Sequence, residues 1–333
     1  MRFCKKCGFI MGTRPGLLEK DGVCQACINV ENKKNIDFKS RQEWLTKFIQ
    51  EQYSQQNNKQ YDCLIAVSGG KDSHMIVRRL IENHGIKNPL LVSVTDEFTH
   101  TKAGQHNINN LVTRYNLDHI TFRCEPETFR RETLKDFENE LHPLKWIEEK
   151  IYSVPFDIAR KQGIRLVFFG ENSAYEYGTS ETLDIFRVDE LDIKIIYMGA
   201  IYPYSIKDSL AQAREIGFKD LKDFDEWYRQ GSIEQFTQID SIAYIIQLWT
   251  KYVKFGFQRV SDIACRFVRE GLLTKEQAEQ YIKERDYICD PQAKADFCRT
   301  IGITEDYFDK IVDKHANREL VEKDITGNWR LKN

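Results

Sequence analysis

The sequence predicts an α/β fold in which a parallel sheet carries helices on both faces. Four apolar runs alternate with helical patterns along the middle of the chain, at 61–67, 89–94, 120–123 and 164–169. Near-continuous apolar strands separated by helices are typical of a parallel sheet that is covered on both sides. A cysteine-rich segment precedes this region, and a mostly helical stretch follows Tyr204. We therefore expect a sheet domain with a small module before it and helices after it.

On these patterns the chain of 333 residues divides into four parts. They are a cysteine-rich module at 1–35, a helix and linker at 36–60, the sheet domain at 61–204 and a helical C-terminal region at 205–333. Apolar periodicity predicts helices at 72–84, 104–115, 128–163 with a break near Pro143, 211–216, 224–228, 239–252, 262–270 and 275–285. Thr274 and Gln277 have the spacing of a capping box at the start of the last helix.

The first predicted strand ends in a tight turn of small residues, Ser68-Gly69-Gly70, followed by Lys71-Asp72-Ser73. Backbone N–H groups in such a turn can converge on an anion, and the helix that follows directs its positive end at the same point. Lys71 adds a formal positive charge. The segment therefore predicts a phosphate site, although an ordinary glycine-rich turn is the alternative.

Two common phosphate motifs are excluded by spacing. A Walker loop has the pattern Gly-x-x-x-x-Gly-Lys-Ser/Thr. When Gly70 and Lys71 are aligned with its Gly-Lys pair, Ile65 stands in place of the first glycine and Asp72 in place of the Ser/Thr. The dinucleotide fingerprint requires separated glycines, whereas Gly69 and Gly70 are adjacent. The turn is thus a third kind of phosphate loop.

A second polar cluster follows the fourth predicted strand, at 170–178. Ligands of parallel α/β sheets bind outside the carboxyl ends of the strands, so 68–73, 95–101 and 170–178 are expected to share one crevice. In this cluster Glu171 and Glu176 could act as a base, orient an amide or bind Mg²⁺, with Asn172 beside them. The alternative is a polar loop with exposed charges.

Four cysteines at the start of the chain have metal-ligand spacing. Cys4, Cys7, Cys24 and Cys27 form two Cys-x-x-Cys pairs, which predicts a closed, structural Zn²⁺ site. A redox pair or an iron–sulfur cluster is the alternative. The remaining cysteines have no ligand spacing and are predicted to be small buried hydrophobic residues; they are Cys63, Cys124, Cys265, Cys289 and Cys298.

Composition limits the partners of the protein. The 49 basic and 51 acidic residues nearly balance, for a net charge of −2, so no global attraction to nucleic acid is expected. No apolar stretch is long enough to span a bilayer, so membrane insertion is not expected. Without an apolar leader, and with nine cysteines, the chain is expected in the cytoplasm with reduced thiols.

The hexapeptide at 68–73 resembles the signature of the PP-loop ATP pyrophosphatases, whose loop holds the β,γ-phosphates while the α-phosphate is attacked. Taken over its whole length, the sequence resembles one family in particular, the N-acetyl sugar amidotransferases of bacterial lipopolysaccharide and pseudaminic-acid biosynthesis. The matching features are the cysteine pairs, the hexapeptide, Thr-His-Thr at 99–101, Gly-Glu-Asn at 170–172, Glu-Tyr-Gly at 176–178 and the stretch 254–264.

This resemblance implies a PP-loop (HUP-like) sheet domain, ATP and Mg²⁺ as cofactors, structural Zn²⁺, and roles for particular residues. It implies that ATP is bound by Ala66, Val67, Ser68, Gly69, Gly70, Lys71, Asp72, Ser73, Asp96 and Gly170. It assigns catalytic roles to Lys71, Asp72, Glu171 and Asn172. It assigns substrate contacts to His100, Tyr175, Glu176, Tyr177, Lys254 and Arg259. For Lys254 and Arg259, a solvated charge on a helix face is the alternative.

The reaction implied by the family is adenylation of a sugar acetamido oxygen, followed by displacement of AMP by ammonia to give an acetamidino sugar. The sequence has no glutaminase signature, so the resemblance further implies a separate glutaminase with a cyclase-like, ammonia-delivering subunit. Two alternatives stay open. One is a PP-loop enzyme that modifies tRNA, of the thiolase or lysidine-synthetase type, although the chain lacks a basic domain for RNA. The other is a non-catalytic adenine-nucleotide-binding protein.

Overall fold

The N-terminal part of the protein consists of two short hairpins and two helices. A computed structural model describes residues 1–55, 60–170, 172–188 and 192–332. The first elements are β1 (Arg2–Phe3), β2 (Ile10–Met11), β3 (Glu19–Lys20), β4 (Val23–Cys24), α1 (Gln25–Lys33) and α2 (Phe38–Gln55). Strand β1 pairs with β2, and β3 pairs with β4, both antiparallel. The two hairpins bring the Cys-x-x-Cys turns together.

The middle of the chain alternates strands and helices, as predicted. Its elements are β5 (Leu64–Ala66), α3 (Lys71–Glu82), β6 (Leu90–Thr95), α4 (Lys102–Tyr115), β7 (His119–Arg123), α5 (Pro126–Glu140), α6 (Lys145–Gln162), β8 (Leu166–Phe169), α7 (Ser173–Tyr177), β9 (Phe186–Val188), β10 (Lys194–Tyr197) and α8 (Met198–Ile201). The four predicted strands correspond to β5, β6, β7 and β8, and the break near Pro143 separates α5 from α6. Strands β9 and β10 were not predicted.

These strands form one six-stranded sheet in the order β7-β6-β5-β8-β10-β9. All neighbours are parallel except β9, which runs antiparallel to β10. After β5 the chain builds β6 and β7 on one side, and then crosses to place β8 on the other. The sheet therefore has its topological switch point between β5 and β8, where a crevice opens at the carboxyl ends of the strands.

Both faces of the sheet are covered, which confirms the predicted fold class. On one face, side chains such as Ile65, Val67 and Phe168 pack against α2, α3 and α4 in one apolar cluster. On the other face, Val92 and Val167 pack against α6 in a second cluster. The α/β prediction succeeded because strands buried on both faces read as continuous apolar runs.

The C-terminal region is mainly helical, as predicted. Its elements are α9 (Ile206–Glu215), a 3₁₀ turn (Leu221–Asp223), α10 (Ile245–Phe255), α11 (Arg259–Arg269), α12 (Lys275–Arg285), α13 (Pro291–Ile301), α14 (Glu305–His315) and the hairpin strands β11 (Val321–Lys323) and β12 (Trp329–Leu331). The capping box at Thr274 and Gln277 is present. No helix within the described ranges is long and apolar enough to cross a membrane.

Two predicted helices in this region are wrong. Residues 224–228 form a turn in which Asp225 has a φ of 47°, a left-handed conformation that a helix cannot contain. The helix predicted from 239 begins only at Ile245. The preceding residues 237–244, which we call the crevice segment, follow an irregular path because their backbone is bonded to the sheet domain.

The crevice segment is held against the loop between β6 and α4. The Thr101 amide donates to the Asp240 carbonyl oxygen over 3.1 Å, and the Ile242 amide donates to the Thr99 carbonyl oxygen over 2.9 Å. The hydroxyl of Thr101, the N-cap residue of α4, donates to the Ile239 carbonyl oxygen. Gly104 lies so close that a Cβ built on it would be 2.8 Å from the Asp240 Cα. The C-terminal region thus forms one wall of the crevice.

We expect Gly104→Ala to lower the free energy of unfolding by about 1–3 kcal/mol, since overpacking against a backbone forces a shift. The clash should exceed the gain of about 1 kcal/mol in helix propensity from replacing Gly by Ala. Urea unfolding followed by circular dichroism measures the change. Lys102→Ala, at an exposed position of the same helix, is the control and should leave stability nearly unchanged. A stabilised Gly104→Ala variant would contradict the close contact.

Candidate functional site

A cavity of about 940 Å³ opens at the carboxyl ends of β5, β6 and β8. Its walls come from the three segments that were expected to share a crevice, together with α4, α6 and the crevice segment. Predicted site residues that line it are Ala66, Val67, Ser68, Asp72, Ser73, Asp96, His100, Gly170 and Asn172. The volume is within the range of ligand pockets.

The predicted phosphate loop, at 68–73, forms part of the lining of this cavity. Gly69 has a φ of 83°, and a Cβ built there would be 2.9 Å from the Ile108 side chain, so the position requires glycine. Gly70 is the N-cap residue of α3. The Ser68 amide donates to the Ser73 hydroxyl over 3.0 Å, which holds the loop folded over the first turn of α3. Its geometry suits an anion such as a phosphate group.

Lys71 lies outside the cavity lining. Its side chain is 2 % exposed, and its ammonium donates to both Asp72 carboxylate oxygens, over 2.8 and 2.7 Å. It also donates to the Tyr204 hydroxyl over 2.9 Å. Asp72 does line the cavity. A direct contact from Lys71 to a phosphate stays a prediction, whereas the geometry favours an action of Lys71 through the orientation of Asp72.

Asp96 lies at the end of β6 and is firmly held. One carboxylate oxygen accepts a hydrogen bond from the Ser241 hydroxyl over 2.7 Å, and the other accepts one from the Phe98 amide over 3.0 Å. Burial raises the pKa of Asp96, and these hydrogen bonds oppose that rise. His100 is exposed, and its Nε2 is 3.2 Å from the Asp96 carbonyl oxygen.

Several cavity residues were missed by the sequence analysis. Gln238, Asp240 and Tyr244 come from the crevice segment, and Arg187 comes from β9. Burial, together with the nearby Asp96 carboxylate, raises the pKa of Asp240 to about 7. None of these residues belongs to a motif, and Asp240 and Tyr244 fell within the helix predicted at 239–252. A hydrophilic run, Thr237-Gln238-Ile239-Asp240-Ser241, before the apolar helix was the signal that could have indicated a loop.

After β8, the described residues Gly170, Asn172, Ser173 and Ala174 line the cavity, whereas the next three do not. Asn172 lines the cavity, and its Oδ1 accepts a hydrogen bond from the Tyr175 amide over 3.4 Å as the N-cap of α7. Glu171 lies outside the described residues. Tyr175, Glu176 and Tyr177 do not line the cavity.

These three residues instead contact neighbouring elements. The Tyr175 hydroxyl donates to the Asn29 carbonyl oxygen of α1 over 3.0 Å. Glu176 is buried in an ion pair with Lys33, also of α1. The Tyr177 hydroxyl accepts a hydrogen bond from Arg259 over 3.0 Å. In this conformation they join the cysteine module to the sheet domain and the C-terminal region.

Lys254 and Arg259 also lie away from the cavity lining. Lys254 donates to the Glu140 carbonyl oxygen over 3.1 Å, and burial, with nearby Arg14, lowers its pKa to about 8. Arg259 is half-buried against Tyr177. Both are therefore engaged with other parts of the protein.

The four predicted metal ligands converge. One ligand atom from each of Cys4, Cys7, Cys24 and Cys27 lies within 4.8 Å of the others, and all four residues are buried. Arg269 places a guanidinium nitrogen 3.7 Å from the Cys7 sulfur, which favours thiolate. Four thiolates in a closed cluster are the usual donor set of structural Zn²⁺. Of the other cysteines, Cys289 is half-buried and the remainder are buried.

We expect about one zinc ion per chain in protein purified without chelators, because four thiolates complete a tetrahedral site. Inductively coupled plasma mass spectrometry measures the ratio. Cys7→Ser should lose zinc and melt at a lower temperature, because structural zinc contributes to folding. Cys289→Ser, outside the cluster, is the control. Iron in place of zinc, or a metal-free protein of equal stability, would contradict the assignment.

We expect Glu176→Ala to lower the free energy of unfolding by about 3 kcal/mol, because it leaves the buried Lys33 ammonium without its carboxylate partner. Urea unfolding measures this. Glu31→Ala is the control, since Glu31 pairs with Lys34 at the surface and such pairs contribute little. A Glu176→Ala variant of full stability that binds substrate weakly would instead support the substrate contact predicted from the sequence.

The chain is similar to several known proteins at low sequence identity. The chain is 24 % identical over 224 residues to an uncharacterized protein of Methanocaldococcus jannaschii, covering 67 % of this chain and 73 % of that protein. Among solved structures it is similar to the NH3-dependent NAD synthetase of Campylobacter jejuni, solved with a nitrate ion, with 16 % identity, a TM-score of 0.38, and coverage of 59 % of this chain and 81 % of that one. It is also similar to the NMN synthetase of Francisella tularensis, with 10 % identity, a TM-score of 0.40, and coverage of 80 % and 94 %.

A family match covers the C-terminal region. Residues 224–332 match the family described as LPS biosynthesis protein WbpG-like, C-terminal domain. The matched segment contains the crevice segment and all elements from α10 to β12. The match supports the resemblance to proteins of lipopolysaccharide biosynthesis that the motifs indicated, because this part of the chain is similar to the C-terminal domain that the family model describes.

Proposed function

We propose that the protein is an ATP-dependent amidotransferase that converts the acetamido group of a sugar into an acetamidino group during synthesis of a bacterial surface glycan. The observation that carries this proposal is the cavity, whose lining includes both the predicted phosphate loop and a wall of polar and acidic side chains. An adenylating ligase requires both an anion site and a second site for the acceptor within one enclosure.

In this proposal the β,γ-phosphates of ATP bind at Ser68, Gly69, Gly70 and Ser73, against the N-terminus of α3. Oriented amides and the helix dipole stabilise the negative charge that the pyrophosphate leaving group gains. Asp72, held by Lys71, provides a carboxylate beside the phosphates, where Mg²⁺ prefers oxygen ligands. Ala66, Val67 and Gly170 border the nucleotide, and Asp96 is near its adenosine part.

The acceptor reacts because adenylation changes its leaving group. An amide carbonyl is a poor electrophile, and its oxygen is a poor leaving group. When that oxygen attacks the α-phosphate, the amide becomes an O-adenylated imidate and pyrophosphate leaves. Ammonia then adds to the imidate carbon, and AMP departs with the former amide oxygen. Asn172, at the cavity wall, is suited to hydrogen bonding with an acetamido group.

The identity of the acceptor depends on the family match. The description of the matching family as LPS biosynthesis proteins supports a sugar over a tRNA base. The net charge of −2 also disfavours a partner with many phosphates, whose binding depends on Lys and Arg contacts. We further propose that ammonia comes from a separate glutaminase through a cyclase-like subunit, and that the zinc module is structural.

ATP–pyrophosphate exchange with candidate acetamido sugars tests the function. We expect exchange that depends on one class of acetamido sugar, and AMP formation that additionally requires ammonia. Sugars that carry a hydroxyl in place of the acetamido group are the control and should support neither. Exchange stimulated by tRNA and by no sugar would contradict the proposal in favour of tRNA modification.

The Lys71→Ala variant tests the role of the Lys71–Asp72 pair in the same exchange assay. Loss of the ammonium releases both Asp72 oxygens, and misplacement of such a group by 1 Å can reduce a rate about a hundredfold. We expect exchange to fall to that extent, with circular dichroism to confirm the fold. Lys87→Ala, exposed before β6, should keep full exchange. Full activity of Lys71→Ala would contradict the role assigned to this pair.

A further inference from the structure

The wall of the cavity formed by the crevice segment carries two acidic side chains from distant parts of the sequence. Asp96 follows β6, and Asp240 lies in the crevice segment; both line the cavity. An isolated bridge pairs His100 with Ser241, so the two chain segments run side by side here. The carboxylates are near enough for the charge of Asp96 to raise the pKa of Asp240.

These two carboxylates have different surroundings. Asp96 accepts hydrogen bonds on both oxygens, from Ser241 and Phe98, and is thereby held in one orientation. Within the part of the chain that the structure describes, no hydrogen bond reaches the Asp240 carboxylate, although its backbone is fixed by Thr101 and by the close approach of Gly104. Asp240 thus presents an accepting group to the cavity from a rigid backbone.

We propose that Asp240 is the general base of the ammonia-dependent half-reaction. This inference rests on the proposed function and adds a catalytic residue to it. The ammonia nitrogen forms a bond to the imidate carbon and becomes positively charged. The Asp240 carboxylate accepts one proton from that nitrogen. The bond between the imidate carbon and the oxygen bound to AMP then breaks, AMP leaves with its electron pair, and the acetamidino group remains.

The electrostatics of the wall suit this role. A general base works best when its pKa is near the operating pH, and the pKa of Asp240 is raised to about 7. The groups that face it are the Asp96 carboxylate, the Tyr244 phenol and, beyond Asp96, the His100 imidazole. Asp96 is held by two hydrogen bonds, whereas the Asp240 carboxylate has none among the described residues, so Asp96 is suited to orient and Asp240 to accept a proton.

A base of this kind predicts a particular pH dependence. Asp240 must be ionised before it can accept a proton, so at a fixed concentration of free NH3 the ammonia-dependent rate rises with pH through about 7. The adenylation step does not use this base, so its rate should not show this rise near pH 7. The two half-reactions can be measured apart, because pyrophosphate exchange reports adenylation and AMP release reports attack by ammonia.

The decisive variant is Asp240→Asn, which keeps the shape of the side chain and removes the base. We expect pyrophosphate exchange within about twofold of the wild type. Ammonia-dependent AMP release should fall about 10²–10⁴-fold, and its rise with pH near 7 should be lost. Asp225→Asn makes the same chemical change at an exposed position of the C-terminal region and should change neither rate. If Asp240→Asn does not fold, Asp240→Glu is tested in its place. This variant should release AMP more slowly, but its rate should still rise with pH near 7.

Other outcomes would overturn the assignment. Equal losses of exchange and AMP release would mean that Asp240 positions ATP or the acceptor. A raised Mg²⁺ requirement, with activity restored at high Mg²⁺, would make it a metal ligand. If the AMP-release rate of Asp240→Asn still rises with pH near 7, that rise belongs to the titration of another group. Absence of sugar-dependent exchange in the wild type would instead overturn the proposed function itself, and is recognised before any variant is made.

Discussion

The close contact between the start of α4 and the crevice segment is the constraint on which the cavity depends. Thr101 bonds to the backbone of Ile239 and Asp240, and Gly104 leaves room for that backbone to approach. A side chain at Gly104 would separate the two segments. Because they stay together, a residue in the last third of the chain completes a site that the sheet begins, and the C-terminal region is part of the enclosure.

A second set of contacts joins the cysteine module to the same structure. Helix α1 bonds to α7 through Lys33 with Glu176 and through Asn29 with Tyr175. On the other side of the module, the Cys265 thiol donates to the Cys7 carbonyl oxygen over 3.2 Å. The module therefore packs on both α7, which carries Asn172 at its start, and α11. A metal that holds the module folded would also support the position of Asn172.

Local patterns predicted the sheet and the phosphate loop, because their determinants are adjacent in sequence. Gly69 and Gly70 directly follow an apolar strand, and α3 directly follows them. Asp240 could not be found in this way, since its place is set by Thr101 and Gly104, far away in the chain. The partner of Glu176 could not be found from local patterns either. The Glu176 carboxylate pairs with Lys33 of α1, 143 residues earlier in the chain, although Asn172, the N-cap residue of the same helix, lines the cavity.

The charge pattern of the cavity has a consequence for how a nucleotide can lie in it. The N-terminus of α3 and the loop amides attract phosphate, whereas Asp96 and Asp240, in the wall that includes the crevice segment, repel it when ionised. A triphosphate is therefore favoured in one direction only, with its β,γ-phosphates at the loop. The acidic wall is left to neutral or cationic reactants, such as an acetamide or ammonia.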